Sequence, residues 1–325
     1  MKIVLAMVTA LAVTAGAAAA DETVSFRVGY SAGGSYDINA RLVAEFLPAY
    51  LAEGTGIIVE NAPGAGSLTL AKTMMFEDAT DGTSIATISS ALALSPIFDP
   101  ESTDFDPQKV HYIASLSNAA SYCVAHKSSG IETLQQLLDS SDAKVGATGR
   151  GSTTYTFPSA IKTALNGQFE IVVGFKGGNE IDLAMERGDV DVRCGIGLNT
   201  LVRGDALERL NVIAEIALEP KGEMDGIDFA LDFAPDAETR AALELVFASG
   251  SVHHPVIAGP NTTEEAVDAL RAAFSALATD PDFVAANEDR RAFINITDGA
   301  TVEAIIDGFL SAPDDVKELA RTLVQ

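Results

Sequence analysis

Two glycine clusters in the first quarter of the chain hold residue types suited to gripping an anion without any catalytic side chain. The first reads Tyr30-Ser31-Ala32-Gly33-Gly34-Ser35-Tyr36-Asp37 and the second Val59-Glu60-Asn61-Ala62-Pro63-Gly64-Ala65-Gly66. Each follows an apolar, strand-like run and opens a helical pattern. That order leaves bare backbone N–H groups at a helix N-terminus, where donors and helix dipole together stabilise negative charge. Neither cluster brings a nucleophile or a set of metal ligands with it. The chain therefore reads as one that holds an anion rather than transforms it, with no catalytic residue, metal or cofactor expected.

Other residues are read with less reach. Asp37 falls in the first helical turn, where it would repel a nearby anion, so it is expected to point away and orient the loop. Gly64-Ala65-Gly66 reads as close helix–strand packing more than as ligand contact, with Asn61 bonding across the loop. Arg150, flanked by Gly149 and Gly151, is either a solvated cation or one that swings onto a carboxylate. Arg193 beside Cys194 reads as the partner of a buried acid, with ligand cation as the alternative. His253-His254 does not predict a metal site, because neighbours on an extended run point to opposite faces.

These loops need elements to position them. Val24, Phe26, Val28 and Tyr30 alternate with polar or small residues, the period of a strand. Ile38, Leu42, Phe46 and Tyr50, with Val43 and Leu47, form a helical stripe. Strand-like 57–59, helix-like 67–76 and strand-like 84–88 follow, the last ending at Ser89-Ser90. Residues 110–124 read as one apolar, strand-like run. Strands near 144–148, 168–173, 190–194 and 211–216 then alternate with helices near 131–138, 156–165 and 179–187. Pro158 is tolerable only in a first helical turn. Beyond Pro235 the chain turns helical, except for an extended run at 252–258. The alternation predicts α/β units with parallel sheets. In such sheets the ligand crevice lies at the carboxyl ends of the strands. Three loops fall there: Ser31, Ala32, Gly33, Gly34 and Ser35; Ser89 and Ser90; and Thr148, Arg150, Gly151, Ser152 and Thr153.

Composition narrows the class. The chain has 325 residues, enough for two domains, and its formal net charge is −25. Such a surface argues against nucleic acid and anionic membranes as partners. Residues 1–20 carry one cation, Lys2, then an apolar run ending in Ala18-Ala19-Ala20, the pattern of a cleaved secretory signal. Export would permit a disulfide between the two cysteines, Cys123 and Cys194, although two buried thiols fit their apolar surroundings as well.

In the order and spacing of its motifs the chain resembles the extracytoplasmic solute receptors of tripartite tricarboxylate transporters, the Bug or TctC-like proteins. The matching residues are the two clusters with Arg41, then Asp81-Gly82-Thr83 and Gly146-Ala147-Thr148-Gly149-Arg150-Gly151-Ser152. Gly174-Phe175-Lys176-Gly177-Gly178 and Gly188-Asp189-Val190-Asp191 follow in order. The first loop reads Ser31-Ala32 where a proline is common in the family, and Arg150 lies in a loop often neutral there.

The resemblance implies a two-domain periplasmic-binding-protein fold, of the type II Venus-flytrap kind, with the ligand cleft between its domains. Domain I would hold residues 21–122 and 248–325, and domain II residues 123–247. The family's ligands are mostly carboxylates, held by backbone N–H groups and hydroxyls. By that likeness Ser31, Ala32, Gly33, Gly34 and Ser35 form one carboxylate loop. Thr148, Arg150, Gly151, Ser152 and Thr153 form its counterpart, and Phe175 and Gly177 border the cleft. The expected function is capture of a small organic acid, by a periplasmic monomer, for the membrane subunits of such a transporter. Two other readings stand beside it: a sensory receptor presenting its ligand to a membrane kinase, and an exported hydrolase using Ser152.

Overall fold

The computed structural model describes residues 23–76, 79–101 and 105–325. The expected signal segment, residues 1–20, lies outside them.

Eleven strands among these residues build two sheets. They are β1 (Thr23–Val28), β2 (Gly56–Asn61), β3 (Ser84–Thr87), β4 (His111–Ser117), β5 (Ser121–His126), β6 (Lys144–Ala147), β7 (Glu170–Val173), β8 (Val192–Gly197), β9 (Leu210–Ile216), β10 (His253–Ala258) and β11 (Thr297–Asp298). The first sheet has the order β11-β4-β10-β3-β1-β2 and the second β7-β6-β8-β5-β9. β1, β2 and β3 pair parallel, as do β6, β7 and β8. The remaining strands pair antiparallel, so the sheets are mixed where the alternation predicted parallel ones. The cause is topological. β5 and β10 are the strands by which the chain enters the second sheet and returns to the first, so each runs against its neighbours.

Each sheet is covered on both faces. On one face of the first sheet, Phe26, Val28, Ile85 and Val256 pack with Leu42 and Val43 of helix Ser35–Phe46 and Leu270 and Phe274 of helix Glu264–Leu277. On the other, Ile88 and Ile257 meet Leu70 and Met74 of helix Leu68–Met75 and Val302 and Ile306 of helix Gly299–Leu310. In the second sheet Val145, Val192 and Ile213 pack with Phe157, Ile161, Ile181 and Phe247. Burying one such side chain stabilises the fold by roughly 1.5–3 kcal/mol.

Two elements differ from the sequence reading, the strand-like run 110–124 and the helix that carries Pro158. The run 110–124 is two strands, and residues 118–120 between them are a crossing from sheet to sheet. β5 begins at Ser121. Helix Asp314–Leu323 packs Ala320 and Leu323 with the core residues of the second sheet. Helix Thr153–Ala164 starts three residues earlier than expected, which puts Pro158 past its first turn. No helix among the described residues is long and apolar enough to cross a membrane.

Cys123 of β5 and Cys194 of β8 form a disulfide across neighbouring strands, with a sequence separation of 71. It links the strand that enters the second sheet to that sheet's centre. Opening a loop of that length is expected to cost about 4 kcal/mol on the chain-entropy account. Urea unfolding with and without reductant measures it. Equal midpoints, or two titratable thiols in the unreduced denatured protein, would contradict the bridge.

Candidate functional site

The loops at the carboxyl ends of β1, β2, β3 and β6 meet between the two sheets. Helix Ser35–Phe46, helix Thr153–Ala164 and helix Gly178–Arg187 all begin there. Their N-cap residues, Gly34, Ser152 and Gly177, supply no side-chain cap. No side chain therefore caps these ends, although Tyr155 and Glu180 donate their N–H groups to the N-cap carbonyls of Ser152 and Gly177 at 3.0 and 3.2 Å.

Glycine allows the two units to touch. The Gly149 backbone lies so close to the opposite unit that a Cβ there would fall 2.6 Å from the Ala65 carbonyl carbon and 2.7 Å from the Gly66 nitrogen. A Cβ on Gly66 would fall 2.9 Å from that of Ser152. Ala65, Gly66 and Ser67 are all left-handed, at φ 48°, 67° and 72°. For Ala65 and Ser67 that conformation costs about 1–3 kcal/mol each. The hydroxyl of Ser67 helps hold it by accepting from the Ser89 N–H at 2.7 Å. The second glycine cluster is close-packed on its own helix at Gly64, where a Cβ would fall 3.0 Å from that of Thr69, and at Ala65 and Gly66 it is also a contact surface between units.

The first loop is tied to the same opposite unit. Ser31 donates its N–H to the Lys176 carbonyl at 3.0 Å and its hydroxyl to Asn179 Oδ1 at 2.9 Å. Asn179 Nδ2 donates to the Ala32 carbonyl at 2.8 Å. A Cβ on Gly177 would overlap the Ser31 hydroxyl. Gly33, at φ 85°, donates its N–H to Asp37 at 2.8 Å. Asp37 also accepts from Arg41 Nε at 3.0 Å and Asn61 Nδ2 at 2.9 Å. Burial pushes its pKa up, yet the bonds from Arg41, Gly33 and Asn61 outweigh that and hold the carboxyl below its ordinary value. The Asp37 charge is thus engaged by three donors inside the loop and by the Arg41 cation.

Behind this loop lies an aromatic stack. Tyr30 packs on Tyr36 with centroids 4.4 Å apart, and Tyr36 on His254 at 3.9 Å. His254 Nδ1 lies 3.0 Å from Asn39 Nδ2, and His253 Nε2 lies 2.9 Å from the Ser121 hydroxyl. His253 thus joins β10 to β5 across the crossing. Nearby, Ser89 and Ser90 are fully buried, and the Ser90 hydroxyl has no hydrogen-bond partner.

The remaining sequence-predicted residues divide. Thr148, Ser152 and Thr154 form a closed hydroxyl network: Ser152 Oγ is 2.8 Å from Thr148 Oγ1 and 2.7 Å from Thr154 Oγ1, and donates to the Gly149 carbonyl at 2.7 Å. No base lies in that network, which removes the support for Ser152 as a nucleophile. Thr153 packs against Gly195, and Gly151 against Leu92 and the Ala65 carbonyl. Arg150 is exposed with its guanidinium 5.3 Å from the Tyr155 ring centroid, outside the buried contact. Phe175 turns toward the second core. Sequence reasoning missed Asn179, Ser67, Tyr30, Tyr36 and His254. The double glycine at 177–178 before a helical pattern was the one local signal near Asn179.

Two outcomes follow from this geometry. A Gly149→Ala change adds a methyl whose three nearest neighbours are backbone atoms of the opposite unit. It should leave the unfolding midpoint within about 1 kcal/mol of wild type while enlarging the radius of gyration in solution scattering; an unchanged radius would refute the contact. Burial lowers the pKa of His253 to about 4, and burial with the charge of His253 lowers that of His254 to about 3. Both stay neutral in the folded protein, against about 6.5 unfolded. Stability from this source is complete above pH 6.5 and is lost as pH falls toward 4. The loss is at most about 1.4 kcal/mol per pH unit for each histidine. Denaturant unfolding between pH 7 and 5 should fall along that slope, and a His254→Asn variant should flatten it; a flat wild-type profile would contradict the burial argument.

Comparison with known proteins agrees with this geometry. The chain matches the tripartite tricarboxylate transporter family receptor, TctC, over residues 39–215. No curated protein sequence matches it. Among solved structures, the periplasmic binding protein BugD is 17% identical, with a TM-score of 0.73 over 93% of this chain and 98% of its own. MatC from Rhodopseudomonas palustris with bound malate is 20% identical, with a TM-score of 0.69 over 91% and 99%. A second R. palustris protein, solved with adipate, is 15% identical, with a TM-score of 0.72 over 92% and 97%. At these identities the likeness establishes the fold. Because the family match spans more than half of the chain, the protein belongs to the receptor family of the tripartite tricarboxylate transporters.

Proposed function

We propose that this chain is a periplasmic receptor that captures a small organic acid between its two units and delivers it to the membrane subunits of a tripartite tricarboxylate transporter. The observation that carries the ligand class is the meeting of three uncapped helix N-termini, at Ser35, Thr153 and Gly178, in one contact region. Such ends stabilise negative charge through aligned N–H groups and dipole. The malate and adipate bound to two proteins of the same fold support the same class.

The two sheets would be the cores of two domains, with the last helix joined to the second. The mechanism is hinged closure about the crossing at 118–120 and the return into β10. On opening, Ser31 is released from Lys176 and Asn179, and its N–H and hydroxyl become available to a carboxylate. On closing, the loops with Gly149 and Gly177 exclude water, which strengthens every hydrogen bond to the charge. No step of this cycle makes or breaks a covalent bond, so we read the protein as non-catalytic. A signal segment at residues 1–20 would direct it to the periplasm.

A ligand that binds only the folded state must stabilise it, by about 2.7 kcal/mol at a hundredfold excess over Kd. Thermal unfolding of the mature protein with a panel of organic acids, sugars and neutral amino acids provides the test. A midpoint raised by several degrees with a carboxylate alone is expected. Stabilisation by neutral solutes and by no acid would overturn the reading.

A further inference from the structure

Arg193 is a cation that the loop architecture does not explain. It lies on β8, at the centre of the second sheet, and is 5% exposed. Its Nη1 donates to both carboxylate oxygens of Asp182, at 2.7 and 2.8 Å. That pair lies within the second unit, and Asp182 is itself about one-third exposed. Asp182 takes Nη1 alone. Nε is buried with no hydrogen-bond partner. An orphaned buried donor on a charged group costs about 1–3 kcal/mol or more, so its retention calls for an acceptor that arrives from elsewhere.

The guanidinium also has a purpose-shaped seat. It lies against the face of Gly178, where a Cβ would overlap both Nη2 and Cζ and fall 2.8 Å from Nη1. Gly178 is the first residue of helix Gly178–Arg187, whose N-cap Gly177 gives no side-chain cap. The helix N-terminus and the arginine thus bring positive potential to one spot. That spot adjoins the first loop, because Gly177 abuts Ser31 and Asn179 bonds to Ser31 and Ala32. Tyr30, at the start of that loop, is close enough to feel the charge. Burial raises the pKa of its hydroxyl, and Arg193 is among the groups that oppose the rise.

We propose that Arg193, seated on Gly178, is a specificity-determining residue: its Nε–Nη2 edge receives a second carboxylate of the ligand while the Ser35 helix N-terminus receives the first, so that the receptor selects dianions over monoanions. Arginine suits this task because its planar fork pairs two donors with two carboxylate oxygens, which lysine does not reproduce. Arg150, by contrast, is turned outward onto Tyr155 and leaves Arg193 as the buried cation of this contact. The proposal rests on the carboxylate reading above and adds to it the number of charges.

Isothermal titration with chain-matched pairs, succinate against butyrate and adipate against hexanoate, tests it. Wild type should bind one diacid at least tenfold more tightly than its matched monoacid. Arg193→Gln should bring that ratio close to one while leaving monoacid affinity within threefold. Arg193→Lys should fall between, because the charge remains and the fork is lost. Gly178→Ala, which displaces the guanidinium without removing it, should lower the ratio as well and serves as the second route should Arg193→Gln misfold. An unchanged ratio in a folded Arg193 variant overturns the proposal, as does a wild type that binds monoacids equally well. If wild type binds no acid of either kind, the carboxylate reading itself fails, an outcome distinct from a lost ratio.

Discussion

The structure depends on backbone meeting backbone across two units. Gly149 abuts the backbone of Ala65 and Gly66, and Gly177 abuts the hydroxyl and N–H of Ser31, neither glycine interposing a Cβ. Packed side chains would set the units several ångströms apart and admit water. Removing the side chains lets N–H groups and carbonyls of one unit reach those of the other. It also explains why left-handed backbone is tolerated at Ala65 and Ser67, at a cost of about 1–3 kcal/mol each. The conformation turns the second glycine cluster outward to meet the opposite loop, and the Ser67–Ser89 bond fixes it from behind. Sheet order, helix placement and the crossings serve to bring these few backbone stretches into register.

Much of that framework was legible in the chain. β1 and helix Ser35–Phe46 follow from their apolar spacing, because each buries a single face against one core. The crossing at 118–120 did not show, since Leu116 before it and Tyr122 after it are equally buried, in different cores. Apolar periodicity reports burial but not which sheet does the burying. The mixed pairing was hidden for a related reason: antiparallel β5 and β10 lie between other strands and are as apolar as parallel ones.

The site was legible where its chemistry is backbone chemistry and illegible where it is assembled from remote side chains. Glycine clusters before helices mark the loops at 31–35 and 177–178 in any reading. Asn179 and His254 carry no such mark; they matter because the fold places them 148 and 219 residues away from Ser31 and Ser35. The two arginines make the contrast sharper. Flanking glycines gave Arg150 freedom to reach a ligand, but an aromatic ring five residues on captures it at the surface. Arg193, in an apolar run beside Cys194, reads as a structural residue and is indeed paired with an acid, yet only one of its nitrogens is used by that acid.

An acidic receptor for an acid poses an electrostatic question that local structure answers. The net charge of −25 acts through solvent, where salt damps it within about 10 Å at 0.1 M. The helix N-termini and buried donors act inside the contact region, where the effective dielectric is low and each interaction is larger. Surface cations add little to the attraction, because arginines such as Arg41, Arg240, Arg271 and Arg290 are each engaged by a carboxylate. Discrimination therefore falls to the contact region itself. There the first loop already gives its Ser31 N–H and hydroxyl to Lys176 and Asn179. In the proposed mechanism a ligand carboxylate would exchange these bonds for its own rather than add to them, so affinity would be the difference between two satisfied states. A small difference would suit a protein that must release what it holds, and under the proposal above it would make selection sensitive to Arg193, whose Nε is buried without a hydrogen-bond partner.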